Sequence, residues 1–300
     1  MRDLVRYGAR RFTERRLAFG HGSINAFDEA AYLALHALGL PPDQLVPHLD
    51  MRPTPGRIQK VLDLFERRIK QRIPAAYLTG EAWLGEFSFY VDKRVIVPRS
   101  YIAELLRDDL APWIPRPAKI RSALDLCTGS GCLAVMLAHS FPRARIDAVD
   151  ISADALHLAR RNVARYALQK RIRLLRSDLY AAVSRKRYDL IVSNPPYVAA
   201  ASMRRLPREY RHEPRLALAG GRDGLDFTRA ILFGAAAHLA PGGLLVMEIG
   251  HHRARLECAF PGTAFIWPHT SAGDDCVLLI YREDLTGLNP QSARARAKVL

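Results

Sequence analysis

Along the first part of the chain, apolar positions recur every three or four residues. Between Ala26 and Leu38, Phe27, Ala30, Ala31, Leu35 and Leu38 share one helical face, and Ile58, Val61, Leu62, Phe65 and Ile69 repeat the pattern over 58–69. Gly39 and the Pro41-Pro42 pair stop the first helix, and Pro53-Thr54-Pro55 precedes the second. Residues 1–75 therefore read as a small helical bundle. The period then shortens. Phe87, Phe89 and Val91 alternate, Asp92-Lys93-Arg94 can turn the chain, and Val95-Ile96-Val97 returns before Pro98, which predicts a β-hairpin. A helix over about 100–110 leads to Pro112, Pro115 and Pro117, the composition of a linker.

Beyond residue 116 strand and helix patterns alternate. Strands are expected at 123–126, 146–149, 172–175, 188–193 and 244–249, with helices over 132–139, 154–168 and 227–239. Such alternation predicts a parallel sheet covered by helices on both faces. At the end, 265–267 and 276–281 are joined by a short Gly-containing connection, too short for a crossover helix, and should pair antiparallel. The expected division is a helical domain over 1–80, a hairpin and linker over 81–115, and an α/β domain over 116–300.

The 300 residues are 49% hydrophobic, enough for a sizeable core in a folded chain. The most apolar stretch, near 239–249, is interrupted by Pro241-Gly242-Gly243 and contains Glu248, so no bilayer span is expected. Nor does the N-terminus resemble a signal peptide, and a cytoplasmic protein without a membrane partner is the expectation. Cys127, Cys132, Cys258 and Cys276 form no C-x-x-C pair and read as free, mostly buried thiols. His251-His252 read as surface histidines lacking carboxylate or Cys partners, so no metal is expected. A formal net charge of +15 suggests an anionic partner such as nucleic acid or a ribonucleoprotein. The basic residues are mostly arginine and scattered, however, as a GC-rich genome also produces. Their most concentrated run, Arg204, Arg205, Arg208, Arg211 and Arg215, reads equally as a docking surface and as a solvated loop.

Candidate chemistry gathers at the predicted carboxyl ends of strands, where open α/β sheets bind ligands. After the strand 188–193 comes Asn194-Pro195-Pro196-Tyr197. Two prolines stiffen this turn and remove two amide donors, leaving the Pro195 carbonyl and the Asn194 side-chain oxygen as paired acceptors. Two acceptors in a rigid turn suit an NH2 group, and the Tyr197 ring suits a planar substrate. The plainer alternative is an ordinary turn, since Asn-Pro starts many. Asp125-Leu126-Cys127-Thr128-Gly129-Ser130-Gly131 occupies the first strand-to-helix turn but matches neither a Walker loop nor a full G-x-G-x-x-G. Asp125 favours a ligand bearing an ammonium over a pyrophosphate. Asp150, ending the second strand, is placed for ribose hydroxyls; Asp178, after the third, suits an adenine amino group, with Leu179 over the ring. Taken singly, Asp150 and Asp178 also read as helix caps.

These motifs resemble class I S-adenosylmethionine-dependent methyltransferases that modify planar amino or amide nitrogens. Glu213-Pro214-Arg215-Leu216-Ala217-Leu218, Gly220-Gly221-Arg222-Asp223-Gly224-Leu225 and Val97-Pro98-Arg99 are similar to the protein-glutamine N-methyltransferase family, over nearly the whole chain. The release-factor branch usually continues Pro-Arg with a Pro-acid-Thr-Glu run; here Ser100-Tyr101-Ile102-Ala103-Glu104 follows. Phe19-Gly20-His21-Gly22, Asn25-Ala26-Phe27-Asp28-Glu29-Ala30 and Arg72-Ile73-Pro74-Ala75-Ala76-Tyr77-Leu78-Thr79 are similar instead to the branch acting on large-subunit ribosomal protein L-three.

The resemblance implies a Rossmann-like, seven-stranded sheet with its last strand antiparallel and a small N-terminal helical domain that recognises substrate. It also implies S-adenosyl-L-methionine as methyl donor, held by Asp125, Cys127, Thr128, Gly129, Gly131, Asp150, Asp178, Leu179 and Asn194. Asn194, Pro195, Pro196 and Tyr197 would take a glutamine amide of the ribosomal protein, free or in an assembly intermediate with possible rRNA contact. Cys127 stands where related loops usually have glycine. Three alternatives stay open: a release-factor glutamine methyltransferase, a nucleic-acid exocyclic-amino methylase, and a non-catalytic RNA- or ribosome-binding module.

Overall fold

A computed structural model describes residues 1–285 and 288. Four helices open the chain: α1 (Arg2–Glu14), α2 (Ala26–Ala37), α3 (Pro55–Gln71) and the short α4 (Ala75–Thr79). Local chemistry sets their ends. Asn25 caps α2 by accepting from the Asp28 amide at 2.9 Å, and Pro55 opens α3, where a missing N–H is harmless. Their apolar faces meet in a separate core around Val5, Phe12, Leu33, Val61 and Phe65.

The hairpin that follows pairs β1 (Glu81–Leu84) with β2 (Phe87–Tyr90), one strand earlier than the alternation predicts. Residues 95–97 do not return as a strand. Asp92 turns the chain locally by accepting from the Arg94 amide at 3.0 Å, and the Val97 amide donates to Glu213 Oε1 at 2.9 Å, so these donors are committed elsewhere. After α5 (Ile102–Arg107) the sheet begins with β3 (Ser122–Leu126), α6 (Cys132–Ser140), β4 (Arg145–Asp150), α7 (Ala153–Arg165) and β5 (Ile172–Arg176). It continues with β6 (Tyr188–Ser193), α8 (Ala200–Met203), α9 (Asp226–His238), β7 (Leu239–Glu248), α10 (Arg253–Ala259) and β8 (Val277–Tyr281).

The strand order is β5-β4-β3-β6-β7-β8, parallel except for β8, which runs antiparallel to β7. The winding order reverses between the parallel neighbours β3 and β6, opening a crevice at their carboxyl ends. Among the described residues this sheet has six strands rather than seven. The expected strand at 265–267 is a single antiparallel bridge, with Ile266 and Leu279 exchanging two 2.8 Å bonds, because Pro268 supplies no donor to extend it. One core packs α6 and α7 against the sheet, and a second packs α9 and α10 against its other face. Among the described residues no helix is long and apolar enough to cross a membrane.

Candidate active site

The turn after β3 is held from β4. The Thr128 amide donates to the Val149 carbonyl at 3.0 Å, and the Gly129 amide to Asp150 Oδ2 at 2.8 Å. Asp150 Oδ1 accepts from the Ser152 amide at 2.9 Å, so this one carboxylate fastens two strand-end loops. Its burial raises its pKa, opposed by those amides. Gly131 is required twice over: its φ is +80°, and a Cβ there would lie 3.2 Å from the Ala159 methyl of α7. Cys127 (φ +60°) and Leu179 (φ +43°) take the same left-handed region with side chains, at a strain of roughly 1 kcal/mol each. Both line one cavity with Gly129, Asp150, Asp178, Asn194 and Pro196, closed on its apolar side by Val149, Ile151 and Phe227.

Asn194 also borders a second cavity, with Pro195, Tyr197, Arg99, Tyr210 and Leu218. The two cavities share Ile96, Asn194 and Ala217. Asn194 Nδ2 donates to the Arg99 carbonyl at 3.0 Å, which orients the amide and leaves Oδ1 and the Pro195 carbonyl without a donor among the described residues. The turn is backed closely by 218–221. Val198 exchanges bonds of 2.9 Å with Leu218 and Gly220, and a Cβ on Gly220 would sit 2.6 Å from Tyr197 Cα. The Tyr197 hydroxyl donates to Glu248 Oε1 at 2.9 Å, and Glu248 Oε2 accepts from the Ser100 hydroxyl and the Tyr101 amide.

Arg99 is itself clamped. Its guanidinium forks onto Glu213, Nη1 to Oε1 at 2.5 Å and Nη2 to Oε2 at 2.7 Å. Burial alone would raise the Glu213 carboxyl, but the hydrogen bonds and charge of Arg99 bring it down to about 2. His21, from the helical bundle, lies 3.7 Å away and packs its ring on Tyr210. Nearby, buried Glu209 accepts from Arg68 (3.3 Å), Arg72 (3.2 Å) and the Ala18 amide (3.1 Å), joining the bundle to the same loop.

Cys127, Gly129, Asp150, Asp178, Leu179, Asn194 and Pro196 thus meet at one cavity, and Pro195 and Tyr197 at the next. Asp125, Thr128 and Gly131 lie outside both. Asp125 is fully buried and accepts from the Thr128 hydroxyl at 2.5 Å, so its visible role is to brace the turn; burial lifts its carboxyl to about 7. The cysteines are free, but of the four only Cys276 is fully buried. His251 does have partners, Asp275 at 3.0 Å and Cys276 at 3.4 Å, brought from the start of β8 by the antiparallel return. The Arg99–Glu213 clamp, the Glu248 anchor of Tyr197 and the Glu209 network are absent from the sequence reading. Val97-Pro98-Arg99 and Glu213-Pro214-Arg215 stood out as motifs, yet nothing in a linear pattern pairs residues 114 positions apart.

Residues 4–80 match the PrmC N-terminal domain, and residues 108–207 the methyltransferase small domain. The ribosomal protein uL3 glutamine methyltransferase of Bordetella pertussis is 56% identical over 285 residues, 95% of this chain and 96% of its own length. Its namesake in Neisseria meningitidis serogroup A is 56% identical over 287 residues, covering 96% and 94%. That of Burkholderia pseudomallei is 54% identical, covering 95% of each. At these identities over nearly the full length, the chain belongs to the family of ribosomal protein uL3 glutamine methyltransferases.

Proposed function

We propose that this protein transfers a methyl group from S-adenosylmethionine to the side-chain amide nitrogen of a glutamine in ribosomal protein uL3, in the cytoplasm. The observation that carries the chemistry is the junction of two cavities at Asn194, whose amide is oriented by the Arg99 carbonyl. The first cavity fits the donor: two carboxylates, Asp150 and Asp178, stand beside apolar walls, as a ribose and a purine require. Cys127, Gly129, Asp150, Asp178 and Leu179 would hold it, and it supplies an electrophilic methyl on a sulfonium.

A glutamine amide is a weak nucleophile because its nitrogen lone pair is delocalised. Asn194 Oδ1 and the Pro195 carbonyl accept its two hydrogens, which raises electron density on nitrogen and aims it at the junction. Tyr197, fixed through Glu248, limits the tilt of the amide plane. Among the described residues, neither a carboxylate nor a histidine lines the second cavity, so the nitrogen faces no carboxylate or imidazole base. The residues there orient a neutral amide, and its proton leaves to solvent. The bundle over 1–80 selects the protein substrate, with the hairpin and linker over 81–115 joining it to the catalytic domain over 116–300.

Incubation with labelled donor should place label in uL3, at a glutamine side chain by mass spectrometry. Efficient labelling of protein-free RNA or DNA instead would favour the exocyclic-amino methylase; labelling of a release factor alone would favour that branch. For the donor cavity, Asp150→Ala removes the acceptor of two loop amides as well as a ligand contact. Donor affinity should fall about ten- to a hundred-fold, for a loss of roughly 1–3 kcal/mol. Calorimetry on a folded variant reads this directly, and unchanged affinity would remove Asp150 from the site.

A further inference from the structure

A third concavity lies at the opposite end of the sheet, where β4, β5 and β6 begin. It encloses about 760 Å³ and is bordered by Arg145, Arg160, Lys170 and Arg187, all exposed and with no acidic partner among the described residues. Two further cations, Arg173 and Lys186, flank a single carboxylate. Asp147, 6% exposed, accepts from Arg173 Nε and Lys186 Nζ, each at 2.8 Å, and from the Tyr188 hydroxyl at 2.6 Å. One negative charge therefore fixes the positions of two positive ones and leaves the groove strongly cationic. Arg171 adds another, held by the carbonyls of Ala138, Phe141 and Ala144, which satisfy its hydrogen bonds without neutralising its charge.

We propose that this groove binds the phosphodiester backbone of double-stranded RNA and anchors the enzyme away from its methyl-transfer site. Cations spread over three strand ends and α7 match a dense phosphate array better than an isolated acidic side chain. Arginine forks suit phosphate oxygens. Among the described residues the only aromatic ring bordering the groove is Tyr188, 3% exposed with its hydroxyl on Asp147, so they offer no platform for stacking unpaired bases. That disfavours single strands and predicts recognition by shape and charge. Choosing RNA rests on the ribosomal-protein reading above, whereas the groove's charge does not.

The test measures binding of the full chain to a labelled RNA duplex of about 20 base pairs by fluorescence anisotropy across a salt series. Arg145→Gln, Arg160→Gln, Lys170→Gln and Arg187→Gln combined should weaken binding at least about ten-fold and reduce the slope of log affinity against log salt by about 3. A control with the same charge loss, Arg204→Gln, Arg205→Gln, Arg208→Gln and Arg211→Gln, should lose distinctly less. The single reversal Arg187→Glu provides a second variant if the quadruple one is poorly folded. Methylation of RNA-free uL3 by the groove variants should be unchanged, which separates failure here from failure of the functional reading. Equal losses in groove variant and control, unaltered RNA binding, competition by polyglutamate as effective as by RNA, or loss of RNA-free methylation in a folded groove variant would each overturn the proposal.

Discussion

Asn194→Ala is expected to retain the methyl donor and lose most methyl transfer. The side chain sits where the two cavities meet, and its Oδ1 is one of two acceptors there with no donor among the described residues. Removing a half-buried acceptor of this kind forfeits roughly 1–3 kcal/mol, and because the interaction tightens as nitrogen attacks, that loss falls on the rate. Turnover should drop roughly ten- to a hundred-fold or more, with donor affinity held. Asn194→Asp keeps an acceptor but loses the donor to the Arg99 carbonyl, so it should also be slow. Single-turnover rates with donor binding measured in parallel check both variants. Near-normal turnover in Asn194→Ala would reduce the turn to scaffolding.

The second large effect is expected at Glu213. Replacement by Gln leaves the Arg99 guanidinium, 26% exposed, without its carboxylate, and breaking such a pair costs about 3–5 kcal/mol. The pH dependence has a definite sign. The folded carboxyl sits at about 2 against an ordinary 4.5, so its stabilisation is fully present above the ordinary value and is lost as pH falls toward 2. That shift corresponds to stability on the order of 3 kcal/mol at neutral pH. Urea unfolding should show a wide gap between wild type and Glu213→Gln at about pH 7 and a narrower one at about pH 3. Parallel profiles would contradict the clamp. Turnover should fall as well, because the same arginine's carbonyl orients Asn194.

These contacts bear on truncation. Deleting the bundle would strip Glu209 of Arg68 and Arg72, and Glu213 of its neighbour His21, inside the loop that walls the second cavity. Loss of methylation in a truncated chain would mix recognition with collapse of that loop, so substitutions on the exposed bundle surface separate the two more cleanly.

Periodicity alone was sufficient for elements whose partners are near in sequence or whose burial is two-sided. The strand at 188–193 falls where the apolar run predicts, and α2, α6 and α9 agree within a residue or two, because burial requires a continuous apolar face. The strand-end motifs were legible for the same reason: a parallel sheet puts the residues following each strand at one edge. Thus Cys127, Asp150, Asp178 and Asn194, far apart in the chain, share a cavity.

Wherever a donor or charge had a choice of distant partners, the linear pattern was insufficient. It placed the hairpin return at 95–97, but the Val97 amide goes to Glu213. It offered Asp125 to a ligand, but the fold buries that carboxylate under Thr128. It singled out the arginines at 204–215, while a larger cationic groove assembles from strand starts at the far end of the sheet. Sequence by itself determined the layers, the order of helices and strands, and the edge at which chemistry collects, because these follow from local periodicity. Tertiary structure alone decided which acceptor stays free at Asn194 and which charges are neutralised, because hydrogen bonds and ion pairs are short-ranged and only folding brings residues such as Arg99 and Glu213 within reach.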